Sequence, residues 1–202
     1  LPRLRAGLPG AGVGKGDAAA AIAAAAREGK PDCPASIGER TRLLAGFDIA
    51  VFAKVYDKGV SLTPGARALV ATMNAMGAVA VLVSGGFDYF VARVSADLGF
   101  SKSHANRLET ADNQLTGIVA EPILDGCGKR AILKKTALEH KIDLIQTLAI
   151  GDGANDLSLL DSAGLGVAYR AKPILAEQAD MRIEHTDLRA PLYLQGLRDK
   201  DR

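Results

Sequence analysis

The stretch Leu148-Ala149-Ile150-Gly151-Asp152-Gly153-Ala154-Asn155-Asp156-Leu157 decides how this chain is read. A short apolar run, 148–150, stops in a turn that holds two carboxylates and an amide, with two glycines that let the backbone bend sharply. Leu157, Leu159 and Leu160 then start an apolar pattern at helical spacing, which predicts a helix over 154–162. Carboxylates crowded at the carboxyl end of a strand repel one another, and a cation such as Mg²⁺ between them removes that penalty. A second reading makes Asp152 or Asn155 the cap of the following helix. One aspartate alone would favour the cap; the cluster favours the cation.

Outward from this turn the chain alternates strand and helix. Thr63-Pro64 reads as a helix N-cap followed by the favoured first helical residue, opening a helix over 64–76 that Gly77 ends. Apolar runs at 78–83, 148–150 and 165–168 read as buried strands, and further helices fit at 87–98 and 129–140. Two runs, 108–110 and 115–119, flank Ala111-Asp112-Asn113-Gln114 and predict a β-hairpin. This order predicts an α/β fold: a doubly wound, Rossmann-like parallel sheet with a small helical cap and a β-hairpin. Ligands of such sheets bind beyond the carboxyl ends of the strands, where both Asp152 and Ser84 fall.

The first part of the chain is different in kind. Residues 1–16 are rich in Gly, Pro and Arg without a period and read as an irregular arm. Gly10-Ala11-Gly12-Val13-Gly14-Lys15-Gly16 superficially resembles a phosphate loop, but the first glycine is misplaced, Gly16 stands where Ser or Thr would bind Mg²⁺, and no strand precedes it. The alanine run 17–27 predicts a helix with Asp17 as N-cap, and 36–44 and 48–56 predict two more, the second with Ile49, Phe52, Val55 and Tyr56 on one face. The expected division is therefore an arm (1–16), a remnant helical cap (17–62) and an α/β core (63–202).

Composition narrows the function classes. The 25 Lys and Arg nearly balance 23 Asp and Glu, so charge gives no case for nucleic acid or a membrane surface. Trp is absent and aromatic residues are 4%, which argues against stacking platforms for bases. No apolar run is long enough to span a bilayer, and the start lacks the continuous apolar stretch expected of a signal peptide. Cys33 and Cys127 are too far apart in sequence for a metal-type pair, and a reducing cytoplasm is the expected home. The first residue is Leu1 rather than Met, which leaves a processed or partial start open.

Candidate chemistry gathers at strand and helix ends. Ser84-Gly85-Gly86, between a strand and a helical pattern, offers a hydroxyl and bare backbone N–H groups, which suit a phosphate; a helix-capping serine is the other reading. Lys129 opens the helix 129–140, where a cation is mismatched to the dipole, and it could bring a point charge to a phosphoryl group. Arg40 could clamp a substrate carboxylate. His104, His140 and His185 have no ligand spacing and receive no role.

Together, Val83-Ser84-Gly85-Gly86-Phe87, the segment 106–119, Lys129, the Asp152 turn, Ala171-Lys172-Pro173 and Leu192-Tyr193-Leu194-Gln195-Gly196 closely resemble the phosphoserine phosphatases of the haloacid dehalogenase superfamily, over about 32–197. The resemblance implies Mg²⁺-dependent hydrolysis of phosphoserine, a small-molecule substrate, in serine biosynthesis, through an aspartyl-phosphate formed by a strand-end Asp. It implies that Ser84, Gly85 and Asn155 hold the phosphate and that Lys129 neutralises its charge. It makes Asp152 a metal ligand, has Asp156 position the metal's water or Lys129, and has Arg40 grip the serine carboxylate. The alternatives are a phosphate-binding relative without turnover and a phosphatase for another small ester.

The chain departs from that family at its first motif, an apolar strand ending Asp-x-Asp-x-Thr that carries the nucleophile and the general acid. The sole Asp-x-Asp here is Asp199-Lys200-Asp201, in a charged tail with no strand before it. The cap glutamate expected to hold the substrate amine has no counterpart, and Cys33 stands where a phenylalanine is expected. Family resemblance places the missing strand between those carrying Ser84 and Asp152, so its loss predicts unpaired edges and weak stability.

Overall fold

A computed structural model describes residues 3–4 and 34–198. The readings of 5–33, including the alanine helix, the glycine-rich segment and Cys33, lie outside the described residues. In chain order the elements are β1 (Arg3–Leu4), α1 (Pro34–Arg42), α2 (Ala50–Gly59), β2 (Val60–Ser61), α3 (Ala66–Ala75), β3 (Val81–Phe87), α4 (Asp88–Leu98), β4 (Lys102–Asn106), β5 (Leu108–Ala111) and β6 (Gln114–Val119). They continue with α5 (Gly126–Glu139), β7 (Leu148–Gly151), α6 (Leu157–Leu160), β8 (Leu165–Tyr169), α7 (Pro173–Ala176), β9 (Met181–Ile183) and α8 (Ala190–Leu194). Short 3₁₀ turns at Leu144–Gln146 and Ala154–Asp156 precede β7 and α6. Strands alternate with helices, and β3–β4 and β7–β8–β9 pair in parallel, which is the α/β architecture expected.

The described residues fall into two compact units, one of 3–4, 34–62 and 81–123, the other of 63–80 and 124–198. This cuts the chain differently from the expected cap and core, because 81–123 groups with the helical segment before it. The physical reason is a shared apolar cluster of Leu44, Phe52, Val55, Phe87, Phe90 and Leu115. Phe52 of α2 meets the rings of Tyr89 and Phe90 of α4 at 5.2 and 5.0 Å between centroids, and it is 1% exposed. The face of Ile49, Phe52, Val55 and Tyr56 read from spacing is the one that packs here. Truncating such a buried ring costs roughly 3–5 kcal/mol, so the helical segment and the Ser84 strand share much of their stability.

Within that first unit β3 and β4 run parallel, Val81 opposite Lys102 and Val83 opposite His104. The hairpin β5–β6 turns on Asp112 and Asn113, at φ 51° and 63°. Two consecutive positive φ angles match the right-handed twist of the strands, and Asp and Asn tolerate them better than most residues. The strands therefore run one residue further into the turn than the sequence suggested. The arm is not wholly irregular, since Arg3–Leu4 pairs antiparallel with Val60–Ser61.

In the second unit β7, β8 and β9 form a parallel three-stranded sheet, with Leu148 opposite Leu165 and Val167 opposite Met181. Ala149, Leu160, Ala168 and Leu175 make its buried cluster. Helix α3 starts at Ala66, two residues after the proposed Pro64, and Thr63 is not its cap. Gly65 intervenes at φ 81°, where a Cβ would lie 2.7 Å from the Arg189 nitrogen and 2.8 Å from Asp187 Oδ1. That left-handed turn lets the Leu188 N–H reach the Pro64 carbonyl at 3.0 Å. Among the described residues β3 pairs only with β4, and β7 only with β8.

Candidate active site

In the turn after β7, Asp156 is paired with a protein cation. Lys129 Nζ lies 2.8 Å from Asp156 Oδ1, with the two side chains 5% and 6% exposed. The other oxygen, Asp156 Oδ2, accepts the backbone N–H groups of Asp152 at 3.1 Å and Gly153 at 3.3 Å. A buried carboxylate is tolerable when it is paired and hydrogen-bonded in this way. The capping reading of the turn thus needs correction. Neither Asp152 nor Asn155 caps the helix: Asp156 instead reaches back to the N–H groups before it.

Glycine makes the inward turn of Asp156 possible. A Cβ on Gly151 would lie 2.5 Å from Asp156 Cβ and 2.7 Å from its Cγ. The predicted helix 154–162 is a 3₁₀ turn, Ala154–Asp156, followed by the single turn Leu157–Leu160. Asp152 is half-buried, and its carbonyl accepts the Lys172 N–H at 3.1 Å. Asn155, also half-buried, stands one residue before Asp156.

Helix α5 begins three residues earlier than expected. Asp125 is its N-cap and accepts from the Gly128 N–H at 2.8 Å, so Lys129 closes the first turn rather than opening the helix. The mismatch with the helix dipole is offset by Asp156.

With Asp156 engaged by Lys129, the cation reading of the turn passes to Asp152. Among the described residues no three His, Cys, Asp or Glu side chains gather as a metal-binding group. One carboxylate is still compatible with Mg²⁺, which is held through one or two carboxylates with water and substrate oxygens completing its shell.

In the other unit, Ser84, Gly85 and Gly86 lie inside β3 and not at a helix end. The N-cap of α4 is Phe87, without a side-chain bond, so the capping-serine reading fails. Between the pairs Val83–His104 and Phe87–Asn106, three residues (84–86) stand opposite the single Ala105, which makes a bulge. Ser84 Oγ accepts the Gly86 N–H at 3.1 Å, and Asn106 Nδ2 donates to the Gly85 carbonyl at 2.9 Å. Asn106 is 1% exposed and had no role in the sequence reading. Its place in Ala105-Asn106-Arg107, just before the hairpin, was the signal available. Arg40 lies in α1, and its side chain is outside the described part.

Known proteins share this architecture. The profile of the family described as haloacid dehalogenase-like hydrolase matches residues 4–161. A phosphoserine phosphatase of Streptomyces coelicolor is 43% identical over 181 residues, covering 90% of this chain and 44% of that protein. One of Lactococcus lactis is 38% identical over 195 residues, covering 96% and 90%. The chain thus spans less than half of the first relative and nearly all of the second. A solved structure described as a substrate-bound phosphoserine phosphatase complex superposes with a TM-score of 0.79 at 39% identity, covering 87% of this chain and 83% of that one. These matches extend upstream of residue 32, where the motifs had placed the limit of resemblance. A profile match over most of the chain, with a relative of this identity matched over nearly its whole length, means that the chain belongs to the haloacid dehalogenase-like hydrolase family, among its phosphoserine phosphatases.

Proposed function

We propose that the chain serves the Mg²⁺-dependent hydrolysis of O-phospho-L-serine to L-serine and phosphate, the last step of serine biosynthesis, in the cytoplasm. The observation that carries the reading is the buried Lys129–Asp156 pair beneath a strand-end turn that also bears Asp152 and Asn155. An ammonium held there can oppose the charge that develops on a transferring phosphoryl group. The names of the relatives at about 40% identity supply the substrate, and they favour it over another small ester.

The proposed roles follow residue by residue. Lys129 neutralises phosphoryl charge, and Asp156 fixes its ammonium. Asn155 donates to a phosphate oxygen, as do the Ser84 hydroxyl and the Gly85 N–H. Arg40 pairs with the substrate carboxylate through its planar fork. Asp152 would hold Mg²⁺, which when bound withdraws electron density from the phosphoryl oxygens. We assign no nucleophile, because no Asp-x-Asp precedes Asp199 in the sequence. No helix among the described residues is long and apolar enough to cross a membrane.

The test is phosphate release from phosphoserine by this chain with and without Mg²⁺, alongside calorimetry with the same ligand. Mg²⁺-dependent release that Lys129→Ala abolishes supports the reading and implies a nucleophile outside the family's usual pattern. Binding without release makes these 202 residues a phosphoserine-binding chain. Neither binding nor release at millimolar substrate overturns the proposal.

A further inference from the structure

The start of α5 is fastened to the Asp152 turn at points that the ion pair does not account for. Ser158 Oγ donates a 2.8 Å hydrogen bond to the carbonyl of Gly126, 32 residues away. A helical serine commonly bonds a carbonyl of its own helix; this one reaches a different element. At the same place the backbones touch, since a Cβ on Gly126 would lie 2.9 Å from the Asn155 carbonyl oxygen. The turn is closed from within by Asp125, which takes the Gly128 N–H at 2.8 Å and, through its carbonyl, the Lys129 N–H at 3.0 Å.

These contacts bear on Lys129 because its side chain cannot place its own head. A four-carbon stem is flexible, so the ammonium position depends on where the helix carries Lys129 Cα and on the one partner at the far end. Gly126 lies three residues before Lys129, almost one helical turn. Its contact on the other side is Asn155, the neighbour of Asp156. A hydroxyl that draws the turn in and a glycine that permits the approach act as one clasp.

We infer that Ser158 is a positioning residue which, through the Gly126 carbonyl, sets the distance between the Lys129 ammonium and Asn155. The inference rests on the reading of Lys129 and Asn155 as phosphate-binding groups. Loss of the hydroxyl frees the first turn of α5 to move off the Asn155 backbone, and the two groups then no longer converge on one anion. Displacements of this size in a binding constellation are felt strongly even when the fold survives.

The experiment uses the full chain and its Ser158→Ala, Ser158→Thr and Gly126→Ala variants, with three readouts. These are the affinity for inorganic phosphate by calorimetry, the Lys129 ¹H–¹⁵Nζ resonance, which burial protects from exchange, and the thermal midpoint. Ser158→Ala is expected to weaken phosphate binding on the order of tenfold and to broaden the Lys129 signal, with the midpoint lowered by no more than about 8 °C. Ser158→Thr restores both, and Gly126→Ala reproduces the loss with the hydroxyl intact. Should Ser158→Ala give no cooperative melt, Gly126→Ala decides the matter. An unchanged Lys129 signal in Ser158→Ala, or a Thr variant no better than Ala, overturns the clasp. Absence of phosphate binding by the parent chain overturns the phosphate reading instead, and the Lys129 signal alone then judges the clasp.

Discussion

Lys129 and Asp156 meet at 2.8 Å from positions 27 residues apart, each side chain about 95% buried. Such a pair adds little net stability relative to an apolar one, since desolvation offsets most of the attraction. Breaking it from one side leaves a charge stranded in a low dielectric. Lys129→Met and Asp156→Asn are each expected to destabilise the chain by about 3–5 kcal/mol in urea unfolding. The double variant should lose clearly less than the sum. Strict additivity would show that the two side chains do not interact.

Gly151 tests the same pair sterically. Its absent Cβ would overlap Asp156, so Gly151→Ala is expected to cost about 1–3 kcal/mol through overpacking. It should also broaden the Lys129 ammonium resonance. An unshifted urea midpoint would refute the packing described.

Gly65 and Gly77 separate strain from contact. Both sit at φ 81°, but a Cβ at Gly77 meets nothing within 4 Å, whereas at Gly65 it meets the backbone of Leu188 and Arg189. Gly77→Ala is expected to cost about 1 kcal/mol from the left-handed backbone alone. Gly65→Ala should cost more and raise amide exchange at Leu188, which donates to Pro64. Equal losses would remove the Gly65 contact from the account.

Alkaline pH acts on the α2–α4 contact. Tyr56 donates to Asp97 Oδ2 at 2.5 Å, and Arg93 stacks over Tyr89 and Tyr56 at 4.3 and 5.5 Å. Burial first, then the hydrogen bond to Asp97, pushes the Tyr56 phenol up to about 12 from its ordinary value of 10.0. A raised pKa means that the folded state holds the proton more tightly. This contribution is therefore complete below pH 10 and is lost as pH rises through about 12. Stability followed by circular dichroism should fall across that window, and less steeply in Tyr56→Phe. Identical slopes would argue against the Asp97 bond.

Asp152 and Arg40 test the proposed chemistry. Asp152→Asn is expected to remove Mg²⁺-dependent enhancement of phosphoserine binding in calorimetry. Arg40→Ala should reduce the preference for phosphoserine over a phosphate ester without an amino-acid head. An Arg40 variant with unchanged preference points to a different small ester.

Much of this was written locally in the chain. Apolar runs marked β7 and β8, and two runs flanking Asp112-Asn113 marked the hairpin, because strand and turn preferences act within a few residues. The face of Phe52 and Val55 followed from spacing alone. What spacing could not supply was the partner of each face or charge. Ser84 looked like a cap because glycines and a helical pattern follow it, yet β4 draws the strand on to Phe87 and bulges it over Ser84–Gly86. Thr63-Pro64 looked like a helix start, yet docking of Leu188 against Pro64 places a left-handed Gly65 between them.

The same division holds for the turn after β7. Sequence by itself determined that two carboxylates and an amide stand at a strand end, and that no Asp-x-Asp precedes them to take a phosphoryl group. Only the tertiary structure showed Lys129 buried against Asp156, with both side chains almost wholly removed from water. Lys129 comes from a helix far away in sequence, and a charge so deeply buried is settled by whatever folds against it rather than by its neighbours along the chain.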